Sequence, residues 1–533
     1  MEWLRDVWSQ VDVAEALEHA SPVLASQVRA LCASDTPAGR DVRRAAESVA
    51  RYVLRAEQRA TPFGLFAGVA SAAFGRRAGA AWGSDHVVVA RASAEWLVAV
   101  VERLESFPEL LERLSVVVNN TAQVRGRALV VPYESGTLGD RRRAVEVSMP
   151  LTDPLRVVLD LACEPICVGV LADKLAAGFP GAGPGRAQQL VCGLVHNHVL
   201  ITSLRAPSTE TDALDYLLDR LDDVDGEAVA PAADLVRELH AVRGDLRECV
   251  SRSGRARAAA RMRSVVPGLR SHPLALDLRL DARIELPDQV AAEIERAAGV
   301  LARISALPYG TAAWKAYQRR FYERYGIGTM VPLADVVSDS GTGFPDGYPG
   351  VAGDTRRSRL NERHDALVRL AQAAVLDGLD EVVLTDELIA ALDLGPERPR
   401  VPPHLEVGVR VQAASAEELQ RGRFRLEMVS VSRGAGVTTG RFLGVLARRD
   451  RERLAAELAD LPTADAGTIA AQLSFPPLHP TSAHVTRTPQ VLPTVISVQE
   501  HRTASTDVLT PDDVAVACDD RRKYLAAPER GQR

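Results

Sequence analysis

The clearest periodic pattern in the chain lies between residues 41 and 60. At about 100° per residue, apolar side chains fall on one face of a helix and arginines fall on the opposite face. The apolar face comprises Val42, Ala46, Val49 and Val53, and the basic face comprises Arg44, Arg51, Arg55 and Arg59. Thr61-Pro62 ends the helix, because the residue before a proline is pushed out of the helical region. The pattern predicts an amphipathic helix that starts near Asp41.

Residues 144–206 carry a different pattern. After a strand, it predicts three short helices, over 154–163, over 168–177 and over a stretch that ends near His196, and then a closing strand over 199–203. Three short helices bracketed by strands are typical of a winged helix. A DNA-reading winged helix and a purely structural insert are the alternatives, and the few basic residues of the segment argue against DNA.

The rest of the chain mixes helical and alternating segments. Helices are predicted over 90–104, 213–223, 231–250, from Pro287 onward and over 448–461, and strands over 128–132, 274–280, 405–411 and 424–428. The predicted fold class is α+β, a large discontinuous mixed domain with an inserted winged-helix module. Residues 1–143 and 207–533 form the two parts of the large domain, and residues 144–206 form the insert.

Composition narrows the class of protein. The 533 residues carry a net charge of −6, which gives no overall attraction to nucleic acid or to an anionic membrane. The sequence has no run of about 18 uninterrupted apolar residues, so no membrane span is predicted. Six cysteines at irregular spacing indicate a cytoplasmic protein rather than a disulfide framework. Cysteine and histidine spacings do not match a metal site, so no metal is predicted.

The basic helix leads directly into a specific motif. The string runs Arg55-x-x-x-Arg59-x-Thr61-Pro62-Phe63-Gly64-Leu-Phe-Ala-Gly68-Val69. It resembles the start of the lantibiotic dehydratase family, in the half that performs tRNA-dependent glutamylation. Further segments resemble the same family in the same order, at residues 321–326, 331–333, 341–348, 422–424, 440–442, 475–477 and 524–525.

The resemblance implies an activity and a set of site residues. The family transfers glutamate from glutamyl-tRNA to Ser or Thr hydroxyls of a precursor peptide, during lanthipeptide or thiopeptide-type biosynthesis. Because the aminoacyl ester is already activated, no cofactor is expected beyond glutamyl-tRNA as co-substrate. The implied catalytic residues are Arg55, Arg59, Arg441 and Asp277, and the implied substrate-binding residues are Arg51, Thr61, Pro62 and Phe63. Arg55 and Arg59 are expected to act as phosphate or oxyanion contacts. Independently of the resemblance, we expect their side chains to stay solvent-accessible in a shared concave surface.

Residues 251–270 supply two further candidates. The segment holds six arginines and is followed by no acidic residue before Asp277. Arginine forks match phosphate oxygens bidentately, so Arg257 and Arg261 are interpreted as substrate-binding contacts to tRNA. A mobile solvated loop is the alternative. For Asp277, the alternatives are a partner for an arginine or for the substrate ammonium, and a simple ion pair with Arg279 or Arg283.

Partners also follow from the resemblance. The segment 144–206 is expected to bind the leader of the precursor peptide by β-augmentation. The chain departs from the family at Ser93, where an aspartate is expected, and at Thr481 and His484. It also lacks the glutamate-elimination domain, so we expect a separate elimination-domain protein. A non-catalytic leader-binding partner of a split dehydratase, and transfer of a different amino acid from its tRNA, remain as alternatives.

Overall fold

Helices and short sheets alternate along the chain. The computed structural model describes residues 1–59, 61–62, 64–134, 145–183, 185–249, 251–305, 310–338, 340–348, 362–392, 402–519 and 522–531. These residues form a mixed α+β fold, as predicted. None of their helices combines the length and apolar composition needed to cross a bilayer.

The helices are distributed over the whole chain. They are α1 Glu2–Ser9, α2 Val11–Ala20, α3 Pro22–Ala33, α4 Gly39–Gln58, α5 Ala94–Glu105, α6 Pro108–Leu111, α7 Asp153–Leu161, α8 Val168–Gly178, α9 Arg186–His196, α10 Ala213–Asp223, α11 Ala233–Arg247, α12 Arg252–Val265, α13 Asp288–Arg303, α14 Ala312–Tyr325, α15 Leu333–Val337, α16 Glu362–Leu376, α17 Asp386–Ala391, α18 Ala416–Gln420, α19 Arg448–Ala459 and α20 Ala483–Thr486.

The strands are short. They are β1 Ala72–Gly75, β2 Gly79–Trp82, β3 Val87–Ala92, β4 Ser115–Val118, β5 Gln123–Arg125, β6 Ala128–Glu134, β7 Val145–Pro150, β8 Ile166–Cys167, β9 Leu200–Thr202, β10 Leu274–Arg279, β11 Ala282–Pro287, β12 Val331–Pro332, β13 Glu406–Gln412, β14 Arg425–Ser432, β15 Ala471–Ser474, β16 Thr494–Ser497, β17 Val508–Leu509, β18 Ala515–Cys518 and β19 Lys523–Ala526.

Several small sheets connect distant parts of the chain. Their strand orders are β1-β11-β2, β10-β3, β12-β18-β19, β13-β14, β15-β16-β17, β8-β4-β9 and β5-β6-β7. The β10-β3 pair is antiparallel, with Leu274 opposite Ala92 and Arg279 opposite Val87. The Ser93 N–H then donates to the Pro273 carbonyl oxygen at 2.7 Å. The chain therefore leaves this pair after Ala92 and returns to it at Leu274.

The largest hydrophobic cluster is built from residues between Ala92 and Leu276. Trp96, Val100 and Leu104 lie on one side of α5, as predicted, and each is fully buried. The Trp96 Nε1–H donates to the Met262 carbonyl oxygen at 2.8 Å, which joins α5 to α12. A second cluster packs α1 to α4 together and buries Ala45 and Val49 of α4. This packing leaves the basic face of α4 toward solvent.

The predicted start of the helix over residues 90–104 is wrong. Residues 87–92 form β3, and Ala90 and Ala92 pair with Leu276 and Leu274 of β10. Ser93 separates strand from helix, because its hydroxyl accepts the Trp96 N–H at 3.4 Å as an N-cap.

The segment 144–206 contains the three predicted helices, α7, α8 and α9, and the closing strand β9. Its strands pair with earlier ones, since β8 and β9 flank β4 and β7 pairs with β6. The predicted boundary at residue 143 lies outside the described residues. The sheets that bracket the three helices are shared with the preceding region, and the winged-helix assignment stays a prediction.

Candidate functional site

The arginine row of α4 is exposed to solvent. Arg51 and Arg55 lie in the C-terminal half of the helix, and Arg59 follows its last residue with an extended backbone (φ −140°, ψ 94°). All three side chains are exposed. Among the described residues none of them forms an ion pair with a carboxylate. The expected exposure of Arg55 and Arg59 is confirmed, and the shared concave surface stays a prediction.

A fourth guanidinium meets the end of this helix. Arg410 of β13 donates to the Gln58 carbonyl oxygen at 3.2 Å and lies 3.5 Å from Glu427 of β14. This contact satisfies one of the carbonyls left open at the end of a helix. It brings Arg410 beside the arginine row although more than three hundred residues separate it from Gln58. Sequence reasoning missed this residue, because alternation along β13 gives no sign of its partner.

The loop after α4 is fixed to strand β10. The Thr61 hydroxyl donates to the Arg59 carbonyl oxygen at 3.3 Å. The Gly64 N–H donates to the Leu276 carbonyl oxygen at 3.2 Å, and Gly64 has a φ of +69°, which favours glycine. Phe63, the remaining predicted substrate contact of the motif, lies outside the described residues. The motif therefore joins the exposed arginines to β10 within a few residues.

Arg441 connects this loop to Asp277. Its guanidinium donates to the Pro62 carbonyl oxygen at 2.6 Å and to the His484 carbonyl oxygen at 3.2 Å. It also lies 3.5 Å from an Asp277 carboxylate oxygen. Only 8% of the side chain is exposed, and this burial lowers the pKa of the guanidinium although Asp277 opposes the shift. We call the loop that follows α4, from Arg59 onward, the motif loop. In this arrangement Arg441 holds the motif loop in place.

Asp277 accepts from two arginines. Besides Arg441 it contacts the Arg91 guanidinium at 3.3 Å, and its own side chain is 15% exposed. Arg91 also donates to the Gly444 carbonyl oxygen at 2.7 Å. The alternative pairing with Arg279 is not observed, because Arg279 instead donates to the Val445 carbonyl oxygen at 3.5 Å. Asp277 thus orients arginines from two distant segments.

A cavity of about 430 Å³ opens beside these groups. We call it the Asp277 cavity, and its wall includes His19, Gly64, Glu95, His272, Asp277 and His484. The three residues at which the chain departs from the family, Ser93, Thr481 and His484, all line it. Glu95 is half-buried and forms no ion pair with any described residue. A volume of this size lies in the range of small-molecule sites.

Histidines from three segments line the Asp277 cavity. His19 and His272 pack edge to face with their ring centroids 4.7 Å apart. Burial, reinforced by His272 and then His484, lowers the pKa of His19 to about 4. Burial also lowers the pKa of His272. The His484 Nδ1 lies 2.6 Å from the Thr481 carbonyl oxygen. A lone histidine on an amphipathic helix has no local signature, so the sequence did not single out His19.

Most of the basic segment 251–270, over Arg252–Val265, is helix α12 rather than a loop. Its Arg257 lies 3.4 Å from Asp245 and 3.6 Å from Glu248. Its Arg261 lies 2.7 Å from Asp245 and 3.2 Å from Glu238, and these hydrogen bonds raise the pKa of its guanidinium. The mobile-loop alternative is therefore wrong, because acids of α11 and the adjoining turn fix these arginines on α12. Their contact with tRNA stays a prediction.

Sequence comparison places the chain among proteins of lantibiotic biosynthesis. Residues 9–533 match the family described as lantibiotic dehydratase, N terminus. Subtilin biosynthesis protein SpaB of Bacillus subtilis is 25% identical over 332 residues, which are 61% of this chain and 31% of SpaB. Epidermin biosynthesis protein EpiB of Staphylococcus epidermidis is 22% identical over 308 residues, 56% of this chain and 30% of EpiB. The matched region is less than a third of either relative.

Solved structures of related proteins are similar to this chain as well. The tRNA dependent lantibiotic dehydratase MibB from Microbispora sp. 107891 superposes with a TM-score of 0.88 at 33% identity, over 100% of this chain and 52% of MibB. The glutamylation domain of TbtB, from thiomuracin biosynthesis, superposes with a TM-score of 0.63 at 21% identity, over 100% of this chain and 66% of that one. The TbtB likeness is one of fold alone. The chain spans about half the length of MibB.

Proposed function

Since the chain belongs to the family of lantibiotic dehydratase N-terminal regions, we propose that it transfers glutamate from glutamyl-tRNA to Ser or Thr hydroxyls of a precursor peptide. The tRNA acceptor end lies along Arg51, Arg55 and Arg59, and its aminoacyl group enters the Asp277 cavity. MibB, which is described as a tRNA dependent lantibiotic dehydratase, supports the choice of tRNA as donor. The reaction takes place in the cytoplasm, where charged tRNA is made.

One observation carries the proposal: a row of arginines that form no ion pair with any described residue ends a few residues from a cavity lined by acids and histidines. From Arg59 to Gly64 the chain spans at most about 17 Å. A single extended ligand, with phosphates at one end and an amino acid at the other, therefore reaches both. The arginines supply the local positive charge that a polyanion needs and that the net charge of −6 does not.

The two acidic residues that line the cavity have different roles. The charge of Asp277 is already shared by Arg91 and Arg441. Glu95, which has no ion-pair partner among the described residues, is left for the α-ammonium group of the aminoacyl ester. Asp277 therefore acts as a positioning residue for Arg441 and, through it, for the motif loop.

The transfer itself needs no further reactant. The peptide hydroxyl oxygen attacks the ester carbonyl carbon, and the bond from that carbon to the tRNA ribose oxygen breaks. The hydroxyl proton ends on the ribose oxygen, so the products are a glutamyl ester of the peptide and uncharged tRNA. A leader peptide adds to an edge strand of the β5-β6-β7 or β8-β4-β9 sheet and delivers the hydroxyl.

The test is transfer of labelled glutamate from charged tRNA to a candidate precursor peptide encoded beside the gene. We expect wild-type protein to label the peptide, and Arg59→Ala to lower the rate about 10- to 100-fold, the loss of one charge-assisted phosphate contact. Arg43→Ala is the matched control, because Arg43 is exposed on the same helix but about 120° around it from Arg55. Equal loss in both variants would contradict a specific contact.

Two further arms separate the alternatives. Wild-type protein that binds the leader peptide but transfers no label, with or without an elimination-domain protein, is a recognition partner and not a transferase. Charging the tRNA pool with each amino acid in turn identifies the one consumed. A peptide labelled by another amino acid and not by glutamate would overturn the choice of glutamate while keeping the transferase.

A further inference from the structure

We propose that His19 is a further catalytic residue, whose Nε2–H donates a hydrogen bond to the ester carbonyl oxygen of the aminoacyl group as that oxygen becomes an anion. The inference rests on the proposed function and assigns a role in it to a residue outside the sequence motif. Three observations support the inference: the position of the His19 ring, the burial and protonation of its two nitrogens, and its contact with the motif loop.

The ring of His19 stands between two cavities. His19 lies at the C-terminal end of α2 and lines the Asp277 cavity. It also lines a second cavity of about 480 Å³, whose wall includes Glu15, Glu18, Arg255 and Arg263. Ion pairs of Glu15 with Arg255 and of Glu18 with Arg252 tie α2 to α12. The imidazole is thus held from a packed helix rather than from a loop.

The two nitrogens of the ring have different surroundings. Nδ1 is completely buried and has no hydrogen-bond partner among the described residues. A molecule in the cavity therefore meets Nε2. A buried N–H without an acceptor is rarer than a buried acceptor without a donor, so the favoured tautomer leaves Nδ1 bare and places the proton on Nε2. The ring then presents a hydrogen-bond donor to the cavity.

The donor is neutral under ordinary conditions. Burial, His272 and His484 lower the pKa of His19 to about 4, so the imidazole carries no charge near neutral pH. A base this weak is poorly matched to accepting a hydroxyl proton, since efficient general bases have a pKa near the working pH. A fixed neutral donor suits an oxyanion, because its hydrogen bond strengthens as the negative charge develops.

Gly64 ties this donor to the motif loop. A Cβ atom at Gly64 would lie 3.2 Å from the His19 Cδ2 atom, closer than most real Cβ contacts. The loop that follows the arginine row therefore packs directly against the ring, and glycine is also required by the φ of +69°. The same short segment that starts at Arg59 thus fixes the direction of the imidazole.

The step balances without any proton leaving the histidine. As the peptide hydroxyl oxygen bonds to the carbonyl carbon, the electron pair of the C=O bond moves to oxygen, where Nε2–H stabilises it. The pair then re-forms the C=O bond and the ribose oxygen departs with the hydroxyl proton. His19 keeps its own proton throughout.

Three substitutions test the role in the transfer assay. Gln places an amide N–H near the Nε2 position, Asn places one near the Nδ1 position, and Phe keeps the ring without a donor. We expect His19→Gln to keep kcat within about tenfold of wild type, and His19→Asn and His19→Phe to lower kcat by about 10²- to 10³-fold, the effect of removing one oxyanion donor. KM should change little in all three. A purely structural role would not favour Gln over Asn.

The pH profile supplies a second readout. Between pH 6 and 8 the kcat profiles of wild type and His19→Gln should have the same shape, because His19 is uncharged over this range. A change of kcat with pH that appears in both profiles is assigned to other groups at the cavity. These include Glu95, His272, Asp277 and His484. A step present in wild type and lost in His19→Gln would make His19 a proton acceptor and overturn the donor role.

A binding measurement keeps the inference separate from the proposed function. Nitrogen NMR of histidine-labelled wild-type protein, with His19 assigned from the peak lost in His19→Gln, is recorded with a hydrolysis-resistant amide analogue of 3′-glutamyl-adenosine. A shift of the His19 Nε2 signal without any transfer activity would overturn the proposed function and leave the His19 contact standing. Active transfer with no shift, or with full kcat in His19→Phe, would overturn the inference alone. If neither transfer nor a shift of the Nε2 signal is observed, both the proposed function and the inference are overturned.

Discussion

Replacing Arg441 by alanine tests how the motif loop is held. The guanidinium joins three segments, because it donates to the Pro62 and His484 carbonyl oxygens and lies beside Asp277. Alanine removes all these contacts at once. It leaves the Pro62 carbonyl without this donor and leaves Asp277 with the Arg91 contact. The perturbation is therefore local to the loop and to β10, while α4 itself keeps its packing on α1 to α3.

The magnitude follows from the contact that fixes the loop. A hydrogen bond from a charged donor contributes about 1.5–3 kcal/mol when its partner is left buried. Taking about 2 kcal/mol for the Pro62 contact, we expect the open form of the loop to become roughly 30-fold more populated. Arg441→Lys should fall between wild type and Arg441→Ala, because one ammonium replaces a planar fork of donors.

Hydrogen exchange of the loop amides measures this directly. The Gly64 N–H is bonded to the Leu276 carbonyl oxygen at 3.2 Å and the Val69 N–H to the Leu278 carbonyl oxygen at 2.8 Å. In Arg441→Ala the Gly64 amide should exchange about 30-fold faster, and the Val69 amide should change less because it lies farther from the lost contact. Arg449→Ala, an exposed substitution on α19, serves as control. Unchanged exchange at Gly64 in a folded Arg441→Ala protein would refute the reasoning.

Two predictions concern stability. Arg255 is 7% exposed and donates to Glu15 at 2.6 Å and to the Cys249 carbonyl oxygen at 3.0 Å, so Arg255→Ala should lower the free energy of unfolding by about 3–5 kcal/mol. Arg257→Ala should lower it by less than about 0.5 kcal/mol; equal urea midpoints for the two variants would contradict this ranking. Burial lowers the pKa of His501 to about 4, so below pH 6.5 the unfolded chain binds a proton that the folded chain does not, and stability falls by up to about 3 kcal/mol as the pH drops toward 4. Urea unfolding of wild type and His501→Gln at pH 7 and pH 4.5 checks this, and an identical pH dependence in both would show that His501 does not contribute.

Local patterns predicted several individual helices accurately. Helix α10 was predicted at its observed bounds, and α4 and α19 within a few residues, because each has apolar positions at helical spacing and clear end signals. Helix α12 was missed although its Arg-Ala repeat favours a helix, because the density of positive charge pointed to a solvated loop. Acids supplied by α11 and its adjoining turn, not residues of the helix itself, neutralise that charge.

Contacts between segments that are distant in the chain could not be predicted from the sequence. Ala90 and Ala92 fit a helical pattern and became strand only because β10 lies beside them. Arg441 was found through the family resemblance, but its partners Pro62 and Asp277 lie 379 and 164 residues away in sequence. His19 had no sequence signal at all, since its importance arises from the burial of its Nδ1 and from its contact with Gly64.

The pairing of β3 with β10 has a consequence for how the sequence of this protein can evolve. The chain departs at Ser93 and rejoins at Pro273, where the two residues are hydrogen-bonded at 2.7 Å. The described residues between them form an excursion that supplies most of the largest core and that also contacts α2 through α12. We expect insertions and deletions in loops of this excursion, away from α5 and α12, to leave the entry and exit points in register. Residues 144–206, for which leader binding is proposed, lie inside this excursion, so changes there leave the spacing of Asp277 and the arginine row as it is.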